Sequence, residues 1–161
     1  MDPRIVLGTI IGANVGVYFY WQFAIGSTRQ FGDYSRLQFM RRHFTNSIDN
    51  FKNGRIYTLL TYAFSHQSLN HLGVNMLVLW SMGTGVISAI GASRFLLLYS
   101  GASVVGGLVS LAYQQYLRPA LEGHRSGYGA VRKVDSVGAS AGVMGITTFF
   151  ACACKLSVSC L

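Results

Sequence analysis

His71 and Asn75 lie four residues apart in an apolar run, residues 56–93, that holds no Asp, Glu, Lys or Arg. On a helix this spacing puts both side chains on one face, about one turn apart. Each can donate a hydrogen bond to a developing negative charge, His71 through a ring nitrogen and Asn75 through its amide. Burying such groups in hydrocarbon without a partner costs kilocalories, so at this depth they face a bundle interior or a wet cavity. Two roles stay open on these residues alone: holding an oxyanion, or only tying helices together. His66 precedes His71 by five residues and is therefore expected on a different face, nearer the helix mouth.

A second constellation is Gly138-Ala139-Ser140-Ala141-Gly142, with Gly145 three residues further on. Its glycines have the GxxxG spacing that lets helix backbones approach closely. Ser140 stands two residues from each glycine, about 200° around a helix from their ridge. A glycine-flanked hydroxyl at the start of a helix is open to close approach, and a backbone N–H there can join an oxyanion hole. Packing and nucleophilic catalysis both remain open. The small-residue pairs Ala102 with Gly106 and Ser103 with Gly107 read as packing.

Other membrane chemistries can be tested by their missing residues. A zinc protease needs a motif such as HExxH, and an aspartyl membrane protease needs acids in its spans. No Asp or Glu occurs in residues 5–28, 56–93, 95–117 or 136–154. A transporter or channel would usually show charge within the membrane or broken helices, for which Gly83-Thr84-Gly85 is the one candidate break. Cys152, Cys154 and Cys160 form no disulfide framework and read as small apolar residues. Neither a metal nor a cofactor is expected.

These side chains must be placed by membrane helices. The chain of 161 residues is 51% apolar and 11% charged, far below the roughly 25% charged residues of a soluble domain. Each of the four uncharged runs is long enough to cross a hydrocarbon core of about 30 Å. The expectation is an all-α membrane protein with spans near residues 5–27, 69–90, 95–117 and 137–154. Phe31, Tyr34, Phe39, Phe44 and Phe51 alternate with Arg36, Arg41, Arg42 and Lys52, so residues 30–55 read as an interfacial segment lying on the membrane surface. A solvated loop is the competing reading.

The net charge of +8 points to anionic headgroups and not to nucleic acid, because the basic residues fall between the apolar runs. Their concentration in the first loop and in the third, which carries Arg118, Arg125, Arg132 and Lys133, puts both loops on the cytoplasmic or matrix side, with the amino terminus opposite. The run 5–24 is too long for the apolar region of a signal peptide, and no Arg- and Ser-rich transit leader is expected.

Taken together, the segment from His66 through His71 to Asn75, followed by the segment around Ser140, resembles the rhomboid family of intramembrane serine proteases. The stretch from Gly54 to His66 is similar to the entry of the second helix in organellar rhomboids. Similarity to the mitochondrial presenilin-associated type continues through Asn75-Met76-Leu77-Val78-Leu79-Trp80-Ser81. The resemblance implies a six-helix core in which Ser140 attacks the scissile carbonyl of a transmembrane protein substrate. It gives His71, Asn75 and the Ser140 N–H the oxyanion, with His66 and Gly138 in support. Localisation in the mitochondrial inner membrane follows from the same likeness, with plastid or another membrane behind it.

Two departures matter. The family motif is usually GxSG, whereas Ala141 follows Ser140 here; one extra methyl group is tolerable, and whether it crowds the site stays open. The family also takes its general base from a histidine in the sixth helix, within an AHxxG-like segment. Leu161 is 21 residues after Ser140, and no matching histidine is present. His43 and His124 fall in loops. The expectation is a chain truncated after the fourth of six core helices and inactive by itself, the alternative being a non-catalytic rhomboid-like protein that binds transmembrane helices.

Overall fold

A computed structural model describes residues 2–118 and 137–156. Helix α1, Pro3–Phe31, opens with proline in its first turn and with the Asp2 carboxylate accepting from the Arg4 N–H at 2.8 Å. Both features suit a helix start, where N–H groups lack intrahelical acceptors. It stops at Gly32, whose φ of +68° is the left-handed geometry that glycine accepts at a helix end. The first loop then folds into α2, Ser35–His43, and α3, Ile48–Lys52, before the short α4, Thr58–Thr61, and a 3₁₀ turn, Tyr62–Phe64.

Helix α5, Leu69–Ile90, is capped by Ser68, whose hydroxyl accepts from the His71 N–H. It runs unbroken through Gly83-Thr84-Gly85, so no discontinuous helix forms there. A single residue, Gly91 at φ +84°, turns the chain into α6, Ala92–Ala112, which is prolonged by a π-helical turn, Tyr113–Leu117. The last described element is α7, Ser140–Leu156.

Helix α7 packs against both α5 and α6, and α1 packs against α5. The core draws Leu7 and Ile10 from α1, Leu72, Leu79 and Val86 from α5, Phe95 from α6, and Val143 and Ile146 from α7. Lipid is as apolar as leucine, so close helix packing must come from shape. Small residues supply it: a Cβ on Gly83 would come within 2.7 Å of Leu7, and one on Gly145 within 2.5 Å of Ala102. Among the described residues there is no strand, and the architecture is an all-α helical bundle, as the resemblance implies.

Among the described residues three helices, Pro3–Phe31, Leu69–Ile90 and Ala92–Leu117, are long and apolar enough to cross a membrane. The fourth expected span differs in length. It begins at Ser140 instead of 137, and its 17 residues reach about 25 Å at 1.5 Å per residue. The third helix starts at Ala92, three residues before the expected boundary, because Gly91 provides the turn and Arg94 is accommodated within the first helical turn. Of the third loop, residues 119–136, including His124, Arg125, Arg132 and Lys133, lie outside the described residues, as does Cys160.

The segment 30–55 is partly helical, and hydrogen bonds fasten it and the turn that follows to the bundle. The Trp21 indole N–H donates to the Ser65 hydroxyl at 3.1 Å, and that hydroxyl donates to the Phe44 carbonyl at 2.7 Å. The Asn46 amide donates to the Gly107 carbonyl in α6, and the Tyr62 hydroxyl to the Ser103 carbonyl, each at 2.8 Å. Asn46 is buried, so Asn46→Ala should cost about 1 kcal/mol. Thermal unfolding in detergent should show the lower midpoint, and limited proteolysis should cut first between α2 and α4.

Candidate active site

The site is built where the turn before α5 meets the start of α7. His66 does not belong to α5. It lies in the segment between the 3₁₀ turn and Leu69 and is completely buried. It lies beside the start of the helix, as expected of a position nearer the mouth, but the inference of a different face does not apply, because the helix begins after it. Its Nε2 accepts from the Ala139 N–H at 3.4 Å and faces the Asn75 amide nitrogen at 3.3 Å. An acceptor Nε2 requires the neutral imidazole with its proton on Nδ1. Burial, and to a lesser degree the neighbouring His71 ring, holds the His66 pKa down to about 4.

Asn75 is buried one turn into α5 from His71. Its amide nitrogen also donates to the His71 carbonyl at 2.9 Å. The His71 ring meets the His66 ring edge to face, with centroids 5.2 Å apart. Gly138 also lies against the His71 ring: a Cβ built there would stand 2.7 Å from His71 Cε1. Gly138 adopts φ +123°, a conformation that side-chain-bearing residues avoid. Only glycine meets both demands.

The Gly138 N–H donates to the Tyr62 carbonyl at 3.0 Å. With Ala139 N–H on His66, two successive amides are thus tied to the segment preceding α5. Ser140 then opens α7, and the first backward helical bond runs from the Val143 N–H to the Ala139 carbonyl at 2.9 Å. The Ser140 N–H therefore belongs to the first turn, whose N–H groups have no intrahelical acceptor. Ser140 and His71 are exposed, whereas His66 and Asn75 are buried.

Ala141 does not crowd this site. Its methyl group is turned toward α6 and packs onto Gly106, where a second Cβ would overlap it. Gly142 faces α6 as well, since a Cβ on it would come within 2.7 Å of the Ser103 hydroxyl and 2.8 Å of the Tyr99 ring. The glycine ridge after Ser140 therefore packs, while the serine lies off that ridge. Tyr62, which holds the Gly138 amide, was no sequence candidate, and no pattern in its apolar surroundings marks it. Among the described residues no group of three or more His, Cys, Asp or Glu stands together as a metal site.

The rhomboid domain family matches residues 53–158, a stretch that contains every residue of this constellation. The chain belongs to the rhomboid family. It is 37% identical over 116 residues to RHOMBOID-like protein 12, mitochondrial, of Arabidopsis thaliana, covering 72% of this chain and 31% of that protein. It is 33% identical over 148 residues to Rhomboid protein 1, mitochondrial, of Saccharomyces cerevisiae, covering 92% and 36%. Against the human Presenilin-associated rhomboid-like protein, mitochondrial, it is 33% identical over 107 residues, covering 66% and 25%. The chain thus spans about a third or less of the length of these relatives. No solved structure matches. The mitochondrial relatives and the apolar helices place the protein in a mitochondrial membrane.

Two outcomes test this geometry. Gly138→Ala should destabilise the fold by roughly 1–3 kcal/mol, the usual cost of one strained backbone position, and should shift the His71 ring resonances in NMR spectra. The His66 pKa in the folded state lies below the unfolded value of about 6.5. Its contribution to stability is then complete above about pH 6.5 and is lost as pH falls toward about 4. Thermal midpoints measured across that window should fall with acidification, and less steeply in His66→Asn.

Proposed function

We propose that this rhomboid chain carries the nucleophile and oxyanion hole of an intramembrane serine endopeptidase that cleaves transmembrane segments of membrane proteins. Ser140 is the nucleophile, and His71, Asn75 and the Ser140 backbone N–H receive the negative charge of the tetrahedral intermediate. His66 and Gly138 are positioning residues. The observation that carries this reading is that His66 and His71 meet the 138–139 turn directly before the serine that starts α7, with Asn75 joined to both histidines. The mitochondrial inner membrane is the proposed location.

Ser140 needs a base, because a serine hydroxyl at its ordinary pKa is a weak nucleophile. His66 is unsuited, since its Nε2 already accepts from Ala139 and faces Asn75. His43 is bonded through Nδ1 to the Tyr57 hydroxyl at 2.6 Å, in the first loop. Family resemblance assigns the base to a histidine in a later helix, a role that neither His66 nor His43 fills on this reading.

The full-length product should react with a fluorophosphonate probe at Ser140, and Ser140→Ala should abolish labelling. Label retained in that variant would remove Ser140 as the nucleophile; no label in the parent would favour a non-catalytic protein that binds transmembrane helices. His71→Ala and Asn75→Ala should each lower kcat by about 10² to 10³ with little change in KM, because the charge they meet develops mainly in the transition state.

A further inference from the structure

Away from Ser140, the first loop and the far end of α6 enclose a groove of about 400 Å³. Ile48, Leu108 and Leu111 form its apolar part, and Lys52, Gln115 and Tyr116 line it as well. From Leu108 to Tyr116 the chain advances about 12 Å along the helix. The α6 side of the groove therefore passes from hydrocarbon side chains to hydrogen-bond donors over about 12 Å, most of the roughly 15 Å depth of one leaflet's apolar layer. The polar end coincides with the π-helical turn Tyr113–Leu117. Exposed Phe51 and Tyr116 flank it, as aromatic rings do at headgroup level.

The first loop, which forms one side of the groove, is basic overall, and Lys52 is the charged residue that lines the groove, with Asp49 in the same short helix. Residues 29–55 hold six basic side chains against two acidic ones. Lys52 is exposed, and Arg55 beside it is held by donation to the Asn50 carboxamide oxygen at 3.1 Å. The donor set of ammonium, carboxamide and phenol suits phosphate oxygens, and the apolar part suits a hydrocarbon tail. A soluble anion would use only the polar end of the groove, and a lipid without net charge would leave the Lys52 ammonium without a net countercharge.

We propose that this groove is a binding site for one anionic phospholipid. Its acyl chain lies along α6 against Leu108 and Leu111, and its phosphate meets Lys52, Gln115 and Tyr116. The site is independent of the role assigned to Ser140. Its function is to anchor the first loop to α6 through a lipid, in addition to the direct bond from Asn46 to Gly107.

The test is native mass spectrometry of the full chain released from micelles doped with equal amounts of dioleoylphosphatidylglycerol and dioleoylphosphatidylcholine. The anionic lipid should be retained about fivefold more, the preference that one basic residue near a charged surface supplies. Lys52→Gln should bring the two lipids to parity, and Leu108→Trp, which fills the groove, should lower retention of both. Arg94→Gln, a cation outside the groove, should leave the preference intact. Equal retention by the unaltered chain, an undiminished preference in Lys52→Gln, or loss of the lipid to equimolar inorganic phosphate would each overturn the proposal. Circular dichroism of each variant separates these outcomes from unfolding.

Discussion

Backbone amides at membrane depth must have partners, and the two that precede Ser140 govern how the bundle is joined. The Gly138 N–H is held by the Tyr62 carbonyl and the Ala139 N–H by the His66 ring. Unsatisfied in the interior of the bundle, where both residues are buried, each would cost about 1–3 kcal/mol. Satisfied in this way, they fasten the start of α7 to the segment that leads into α5. The positive φ of Gly138, the seat of the His71 ring against it and the placement of Ser140 at the head of a helix follow from that junction.

The rest of the bundle makes the junction possible by letting helices approach. Gly83 admits Leu7 of α1, and Gly106, Gly142 and Gly145 bring α6 against α7. Ala141 shows how local these demands are. Its methyl group occupies space vacated by Gly106, so a departure from the family's GxSG pattern is absorbed at the helix interface and does not reach the serine. The two residues read best as a pair, since a side chain at either position limits the other.

Much of this was legible in the sequence, for reasons particular to membranes. Uncharged runs mark helices because charge is excluded there, and the α5 boundaries at Leu69 and Ile90 agree with the expected span. His71 and Asn75 stood out as polar groups in such a run, and Ser140 through its glycines. The face of His66 was misread: periodicity assigns faces only within a helix, and Ser68 caps α5 after His66 has passed. Tyr62 left no trace because its carbonyl does the work, and backbone acceptors have no sequence signature. Whether the extra methyl of Ala141 crowds the site stays open in the sequence because the partner that accommodates it, Gly106, is 35 residues earlier.

The buried histidine also bears on how an oxyanion hole can be held ready without being locked. On the proposed reading, both hydrogens of the Asn75 amide are engaged in the resting state, one with the His71 carbonyl and one toward His66 Nε2. That Nε2 offers a single in-plane lone pair and is also approached by the Ala139 N–H, so neither contact is short, at 3.3 and 3.4 Å. A hydrogen bond to an ionised acceptor is roughly twice as strong as one between neutral groups. An oxyanion arriving near Asn75 would therefore draw the amide away from His66 at small cost, and Ala139 would inherit the lone pair. Keeping His66 neutral is essential to this exchange: a protonated ring would have no lone pair for either donor, and the Ala139 amide that leads into Ser140 would lose its hold.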